Sequence, residues 1–572
     1  MRMSKSFKFP LILIFSFVFL FSCKKDASSW KSNVISSVKE NVFVITSVDF
    51  MSILDDSGIM TSEHLPFEYQ SMLSMYVKNT LKSDEIGLKL EGNNHIVLVA
   101  NDDGDPIYGF TMMDVIHPEK IAKSIKLVFG GRKDEVDEYT YITSNNVSAG
   151  WDDKHCIVMF AFDDTRSPKE LRAEAEYLLK QRFEDQPADA DLLSYLNRED
   201  DLNTLLYMEP YIKTIEKFSK TEIQLDDDYY TALENAKVIT AGNFNAGNIS
   251  FTTQFIGPEF LESKYNFFKD SPVDKEYLNY VSDDDKLLFC AFANLELPPF
   301  INFYKNSLEG QKAFREFNQI LDQLGMDISD LENLFNGQLS FSFLDLLPLE
   351  KNFSIDSEED ALEEFGEWAG DFMDEKTESA VLDFAEDVSE YGDMDDDFFN
   401  DMGDNYSSNS ELLPNILITL GVNDKKALKK VLSITNIDLE DDQVQGINDI
   451  FFILLKDNKF FIGSDKELLA KIQGEGQLKS YAPIKKLTHP IMGYINTDRK
   501  YFPDVFTSMI EDEIGDSYIN ILNSIKYIEI KGSAEESSFQ LVMEDDNENA
   551  LKQLIDLVLK EFVSSGLEGM FM

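Results

Sequence analysis

The chain is poor in the residue types that most often build catalytic centres or covalent cross-links. It holds three cysteines and five histidines in 572 residues, with no glycine-rich phosphate loop and no Gly-x-Ser-x-Gly motif. The histidines stand far apart, with no pair at metal-ligand spacing: His64, His95, His117, His155 and His489. These absences argue against a disulfide framework, a zinc site and the common nucleotide-binding and serine-hydrolase chemistries. We therefore predict no catalytic residue and no cofactor, and we expect a non-enzymatic protein.

Basic residues are scarce relative to acidic ones. The chain has 52 lysines and arginines against 105 aspartates and glutamates, which gives a net charge of −53. Long-range repulsion from such a charge disfavours nucleic acid and anionic lipid surfaces as partners, so we expect no nucleic-acid binding. The hydrophobic content of 43%, with 45 phenylalanines and 22 tyrosines, is that of a folded chain rather than a disordered one.

Long apolar runs are also missing, except near the start of the chain. Residues 10–21 are mostly apolar, follow a basic start and lead into Ser22 and Cys23. The run is shorter than the roughly 20 residues that a membrane-spanning helix needs. Its layout therefore predicts a secretory signal peptide over residues 1–22.

Cys23, at the end of the apolar run, indicates which kind of signal peptide this is. The run resembles a bacterial lipoprotein signal, in which the cysteine becomes the first mature residue and carries acyl chains such as palmitate. Phe21 is bulkier than that pattern usually has, and the alternative is a cut at another position with an incidental cysteine. The resemblance implies attachment to the outer membrane through Cys23, on its periplasmic or its cell-surface face. Residues 23–40 are then a polar tether.

The order of predicted elements is the same in two parts of the chain, residues 41–268 and 286–572. Each part is predicted to begin with a buried strand, at residues 41–50 and 286–295. Two more strands, a helix and a hairpin with a polar turn follow. A helix that opens with Lys-Glu-Leu, a single strand, and a hairpin with a last helix complete each part. Identity between the parts is low and chance similarity is the alternative, but the shared order favours an internal duplication.

Strands and hairpins with intervening helices are typical of the α+β class. We expect two tandem duplicated domains of mainly antiparallel sheet, with helices packed on one face. Residues 269–285 are polar, include Pro272 and mark the boundary between the domains. The last helix, predicted over residues 550–563, carries an apolar stripe that we assign to the core rather than to a membrane.

The second part carries a long acidic insertion. The first part joins its second and third strands by an Asp-Gly turn at residues 101–105, whereas the second part has residues 348–411 at the equivalent place. Residues 356–411 include 22 acidic residues and one basic residue, Lys376. This composition is typical of a solvated, largely disordered loop. The alternative is a docking segment for a basic envelope protein.

Four aspartates of the insertion have the spacing that opens a calcium-binding EF-hand loop. Asp393, Asp395 and Asp397 alternate, and Asp404 stands at the twelfth position. Phe398 replaces the glycine of that loop, and Asp404 is shorter than the usual bidentate glutamate. We therefore predict weak, delocalised contact with calcium or with a partner, and no specific metal site.

The other two cysteines, Cys156 and Cys290, each lie within an apolar, strand-like run. Free cysteines in such runs are usually small buried hydrophobic residues. An oxidising envelope also allows a disulfide between them, so the sequence leaves their pairing open.

The assembled pattern resembles a family of large uncharacterised bacterial envelope lipoproteins that is known only as a domain of unknown function. The resemblance is carried by Cys23, by residues 42–58 and by residues 287–300. It implies no ligand, cofactor or catalytic residue. Our leading hypothesis is a lipid-anchored envelope protein that binds or scaffolds other components. The alternatives are an envelope hydrolase that cleaves carbohydrate or peptide with Asp and Glu residues, and a passive structural or adhesive protein.

Overall fold

The strands of the described residues form one continuous sheet, against which the helices pack. The structure is a computed structural model and describes residues 29–38, 41–65, 67–80, 82–101, 104–162, 166–182, 190–219, 231–261, 266–281, 287–306, 333–348, 412–434, 437–447, 450–478, 484–498, 502 and 521–564, apart from residues 232, 234, 438 and 485. Neighbouring strands pair antiparallel throughout these ranges. The predicted α+β class with a mainly antiparallel sheet is confirmed.

The first part of the chain alternates short strands with helices. Its strands are β1 (Val42–Val48), β2 (Asn94–Ala100), β3 (Pro106–Asp114), β4 (Arg132–Val136), β5 (Tyr139–Thr143), β6 (Val147–Trp151), β7 (His155–Ala161), β8 (Leu202–Tyr207), β9 (Lys237–Asn245) and β10 (Asn248–Ile256). Its helices are α1 (Ser29–Ser36), α2 (Phe50–Asp56), α3 (Phe67–Thr80), α4 (Ser83–Ile86), α5 (Pro118–Phe129), α6 (Pro168–Gln181), α7 (Ala190–Leu196), α8 (Met208–Ser219) and α9 (Pro258–Leu261).

The second part begins with a 3-10 helix, Lys275–Tyr280. Its strands are β11 (Phe289–Asn294), β12 (Phe335–Pro348), β13 (Leu412–Val422), β14 (Gln445–Gly446), β15 (Phe452–Lys456), β16 (Lys459–Gly463), β17 (Ile491–Asn496), β18 (Ile525–Gly532) and β19 (Glu536–Met543). Its helices are α10 (Leu297–Asn306), α11 (Lys425–Ile434), α12 (Lys466–Glu475) and α13 (Ala550–Ser564).

Strands of the two parts follow the same pairing order. In the first part the order is β10-β9-β8-β1-β2-β3-β7-β6-β5-β4. In the second part it is β19-β18-β17-β11-β12-β13-β16-β15-β14. The two series therefore match strand for strand up to β5 and β14. A common origin of the two parts remains a prediction.

The two parts join through their last hairpins. β10 pairs antiparallel with β19, from Asn248 opposite Val542 to Gln254 opposite Glu536. Helix α13 follows β19 and contacts β9 and β10 of the first part. Its Ala550 and Leu554 belong to the apolar cluster at this joint. The start of the last helix therefore packs in the core as predicted, whereas Val558 of its apolar stripe is 49% exposed.

Apolar clusters lie on both faces of the sheet, where the sequence analysis expects helices on one. In β7, Ile157 and Met159 pack in a cluster with α1, α6 and α7. The residues between and before them, Val158 and Cys156, pack in a second cluster with α5. Successive strand residues point to opposite faces, so a continuous apolar run needs cover on both sides.

Two segments placed outside the domains by sequence belong to the cores. Residues 29–36, assigned above to the tether, form α1, in which Trp30, Val34 and Ile35 are buried. Their spacing of four and five residues puts them on one helical face. Within residues 269–285, assigned to the boundary, Tyr277 packs in the core of the second part. Both segments consist mostly of polar residues, so their sequences alone predict exposed connections.

Local signals set several of the turns and helix ends. Helix α6 begins with Pro168 after a capping box, in which Ser167 and Glu170 bond each other's backbone N–H groups. The polar turn between β15 and β16 has φ of 48° at Asp457 and 58° at Asn458, as a tight hairpin turn requires. Residues 102 and 103 of the Asp-Gly turn predicted between β2 and β3 lie outside the described residues.

Gly337 is a position where the backbone requires glycine. Its φ is +81°, and a Cβ atom there would lie 1.9 Å from the carbonyl oxygen of Leu295. The pairing of β12 with β13 shifts register between Phe335 and Leu339, around this residue. A side chain at Gly337 would therefore strain the backbone and clash with its neighbour.

Candidate functional site at the N-terminal helix

The residues predicted to carry function lie outside the described part of the chain. This holds for the lipidation site Cys23 and for the weak cation or partner contacts Asp393, Asp395, Asp397 and Asp404. The acidic insertion leaves the sheet at the end of β12 and returns at the start of β13. Helix α1 is the first described element after Cys23, and the polar groups that hold it form the candidate site.

Trp30 fixes the start of α1 to the sheet. Its side chain is 5% exposed, and its indole Nε1 donates a hydrogen bond of 3.3 Å to Asp114 Oδ1. The indole also meets the ring of His155 edge to face, with 4.7 Å between the ring centroids. Asp114 ends β3 and His155 begins β7, so Trp30 contacts two neighbouring strands at the same end of the sheet.

A buried ion pair lies beside Trp30. Asp152 and Arg182 are paired, and their side chains are 7% and 2% exposed. Asp152 Oδ1 also accepts hydrogen bonds of 2.7 Å from the backbone N–H groups of Lys154 and His155. On α1, Asn33 Nδ2 donates to the carbonyl oxygen of Arg182 at 3.3 Å. The pair therefore links the β6–β7 turn, the end of α6 and α1.

The electrostatics of Asp152 favour its ionised form. Burial alone would raise the pKa of this carboxyl group. Hydrogen bonds from His155 and Lys154, together with the charge of Arg182, outweigh burial and lower the pKa to about 2. The carboxylate thus stays charged over the whole physiological pH range and keeps the buried guanidinium paired.

A second polar cluster lies beneath α1 and α7. His95 Nδ1 is 2.6 Å from Ser47 Oγ, which donates to Tyr195 Oη at 2.9 Å. Tyr195 in turn donates to the carbonyl oxygen of Ile45 at 2.7 Å. Burial and the nearby charge of Lys31 on α1 hold the pKa of His95 well below 6.5.

The Ser47–His95 pair has the spacing of a nucleophile and its base but not their setting. Ser47 and His95 are 1% and 2% exposed, so no substrate reaches them in this conformation. The charge that acts on His95 is the Lys31 ammonium, whereas a catalytic histidine is oriented by a carboxylate. We conclude that this cluster attaches α7 to β1 through Tyr195.

Carboxylates converge just beyond the C-terminal end of β1, at the same end of the sheet as Ser47 and His95. Ser52 Oγ donates to Asp201 Oδ1 at 3.2 Å and lies 3.5 Å from Asp56 Oδ2. Burial and then the charge of Asp201 raise the pKa of Asp56. Asp201 also accepts from the backbone N–H of Phe244 at 2.8 Å, which is a structural role. A raised carboxyl pKa next to an ionised partner is nevertheless what a hydrolase using acidic residues would need.

The described residues include two buried thiols and no set of metal ligands. Cys156 and Cys290 are free, and they lie in separate apolar clusters of the two parts. Burial raises the pKa of both thiols. Nowhere in the described ranges do three His, Cys, Asp or Glu side chains come together as a metal-ligand set. Within the same ranges, every helix is too short or too polar to cross a bilayer.

Sequence reasoning missed most residues of the N-terminal site. Trp30 and Val34 lie one helical turn apart, and this was the available sign that α1 is more than a tether. In the sequence, His95 and His155 stand apart from any motif, so nothing local distinguishes them from the other histidines. No local pattern shows that Arg182 pairs with Asp152, because their contact depends on how α6 crosses the sheet.

Comparisons with known proteins give no family. No protein-family model and no curated protein matches the chain. Crystal form III of the Treponema protein TP0453 aligns with a TM-score of 0.23 and 8% identity, over 37% of this chain and 75% of that chain. Crystal form IV gives a TM-score of 0.23 and 10% identity, over 40% and 82% of the two chains. Scores this low carry no argument about fold or function.

Proposed function

We propose that this chain is a lipid-anchored protein of the bacterial outer membrane that binds or scaffolds other envelope components. In this proposal Cys23 carries the acyl chains, and the two parts of the sheet form the body that partners contact. Several acyl chains on one residue anchor a protein stably, since each buried CH₂ contributes about 0.8 kcal/mol. Membership in the envelope lipoprotein family named above is part of the same proposal.

The observation that carries the proposal is the burial of α1 so soon after Cys23. Helix α1 starts at Ser29, six residues after the cysteine, and Trp30, Val34 and Ile35 are in the core. An anchor at Cys23 would thus be coupled directly to the folded body.

Acylation is tested with a Cys23→Ser variant of the full chain. We expect the unmodified protein to carry acyl mass on residue 23 and to remain in the membrane fraction. The variant should lose both properties, whereas Ser28→Ala should keep both. An unmodified protein without acyl mass, or a Cys23→Ser variant that stays with the membrane, would contradict the anchor.

Partner binding is tested by crosslinking intact cells that express the protein with and without residues 356–411. A matched control keeps the length of this segment but replaces its Asp and Glu residues by Asn and Gln. A partner lost in both variants would identify the acidic charge as the docking element. A partner kept in both would move the site to the sheet. Absence of any partner in all three proteins would contradict a binding or scaffolding role.

A hydrolase of envelope carbohydrate or peptide is the second candidate, because Asp56 and Asp201 converge. It predicts a hydrolytic activity of the purified protein that both Asp56→Asn and Asp201→Asn abolish. The neighbouring Asp55 is exposed, so Asp55→Asn is the matched control and should retain activity. An activity that survives either core substitution would exclude this pair as the catalytic acid and base.

A further inference from the structure

We infer that one side of the first part faces and touches the lipid surface in which Cys23 is anchored. Two segments form this side, residues 114–117 and residues 152–155, which we call the anchor-proximal segments. The inference rests on the proposed acylation of Cys23 and adds to it the orientation of the folded body.

The chain between the anchor and the body is short. Five residues, 24–28, separate Cys23 from Ser29 at the start of α1. A chain rises at most about 3.6 Å per residue, so these six steps span no more than about 22 Å in any conformation. That limit is about half the thickness of a bilayer with its headgroups, roughly 20 Å. The start of α1 is therefore held close to the lipid surface.

Helix α1 starts against the anchor-proximal segments. Trp30 bonds Asp114 in the first segment and packs on His155 in the second, at the distances given above. The two segments are tied together, since the backbone N–H of Val115 donates to the carbonyl oxygen of Lys154 at 2.8 Å. The anchor thus holds these segments nearer to the lipid than the opposite ends of β3 and β7.

The anchor-proximal segments present groups that suit the headgroup layer. Ile116, between β3 and α5, is 39% exposed. His117 follows it with a side chain that is 40% exposed. Asp153 and Lys154 are exposed and carry opposite charges. The exposed Asp84 and Glu119 beside His117 add negative charge to this side. An apolar side chain among charges of both signs fits a zwitterionic lipid surface, whereas the net charge of −53 disfavours an anionic one.

The chain offers a matched control at the other end of the same strand. Phe162 follows β7 and is 48% exposed, so it is as apolar and as open as Ile116. Phe162 stands one position after the seven residues of β7, the first of which is His155, so the two lie roughly 23 Å apart along the strand. A probe that reads lipid proximity should therefore distinguish the two positions.

The test uses the acylated full chain with a fluorophore on a single introduced cysteine, Ile116→Cys or Phe162→Cys. The native Cys156 and Cys290 are buried and do not take the label. The protein is reconstituted in phosphatidylcholine vesicles that contain spin-labelled lipid as a quencher. We expect several-fold stronger quenching at position 116 than at position 162. His117→Cys provides a second anchor-proximal position should Ile116→Cys fold poorly.

A second variant separates orientation from anchoring. A long Gly-Ser spacer inserted between residues 28 and 29 keeps acylation but releases the body, so quenching at position 116 should fall to the level at position 162. Equal quenching at the two positions without the spacer would overturn the inference, although acyl mass and flotation with vesicles show that the anchor is sound. A probe at 116 that is shielded from water but not quenched by lipid would also overturn it, in favour of a protein partner. Absence of acyl mass would overturn the proposed function itself.

Discussion

Replacing Asp152 by asparagine removes one charge from the buried pair beside α1 while keeping the size of the side chain. The introduced amide oxygen would still accept hydrogen bonds from the β6–β7 turn. The neutral side chain would not compensate the charge of Arg182, whose side chain is 2% exposed. The substitution therefore isolates the contribution of the charge to the stability of the first part.

The structure gives the size of the effect. The pKa of Asp152 is about 2 in the folded protein against 3.8 for an unperturbed carboxyl group. A tenfold difference in proton affinity corresponds to about 1.4 kcal/mol, so ionised Asp152 stabilises the fold by about 2.5 kcal/mol. Breaking a buried pair costs about 3 to 5 kcal/mol when the partner is left unpaired. Glu138 lies 3.9 Å from Arg182 and offsets part of that cost, so we expect a loss of about 2 to 4 kcal/mol.

The pH dependence of this loss has a definite sign. Because folding lowers the pKa of Asp152, its stabilisation is complete above the unfolded pKa of 3.8 and is lost as the pH falls through the folded pKa of about 2. The difference between the unmodified protein and Asp152→Asn should therefore be constant from pH 7 to 5, shrink at lower pH and disappear only below the folded pKa.

Urea unfolding monitored by tryptophan fluorescence measures both quantities, since Trp30 and Trp151 are buried in the first part. The matched control is Asp153→Asn, because Asp153 is the adjacent residue and is exposed. Surface substitutions of this kind change stability by about 0.5 kcal/mol or less. An Asp152→Asn loss no larger than that of the control, or one that persists undiminished below the folded pKa of about 2, would contradict a charge contribution from Asp152.

Three further predictions concern other buried groups. When the pH is lowered from 6.5, the unfolding free energy should decrease by up to about 1.4 kcal/mol per pH unit, because the unfolded chain protonates His95 and the fold keeps it neutral. Denaturation of His95→Gln at the same pH values should show a smaller decrease in unfolding free energy. Thiol titration should find Cys156 and Cys290 unreactive in the native protein and both reactive in urea, and native labelling of either would contradict their burial. Gly337→Ala should lower the unfolding free energy by about 1 to 3 kcal/mol. Gly493→Ala is the control and should lower it clearly less, because the added Cβ would lie 3.6 Å from Ile530 Cβ. Equal losses of the two variants in calorimetry would contradict the strain at Gly337.

The elements that sequence predicts best are those fixed by neighbouring residues. The strand at residues 41–50 corresponds to β1, and the turn at Asp457 and Asn458 joins β15 to β16. The start of the last helix packs in the core as expected, whereas Val558 further along its stripe is exposed. In each case the alternation of apolar residues, or the turn residues themselves, carries the signal within a few positions.

Pairing between distant strands is beyond such signals. β1 lies between β2 and β8, and β10 pairs with β19, although each strand alone could pair elsewhere. The polar contacts of the N-terminal site have the same origin. Lys31 and Asn33 are buried because α1 packs against α6 and α7, although their own sequence is typical of a polar connection. The burial of these polar residues depends on tertiary packing, whereas the polarity of the local sequence alone predicts exposure.

The joint between β10 and β19 has a consequence for any attempt to study the two parts separately. A strand at the margin of a sheet presents a row of unpaired backbone donors and acceptors, which recruits other strands. In the intact protein β10 and β19 satisfy each other, and Phe251 and Phe539 lie ring to ring across them at 6.4 Å. Cutting the chain between the parts would create two such margins at once, each lined with phenylalanine. Either fragment should therefore self-associate through that margin, and the natural pairing acts as each part's protection against aggregation.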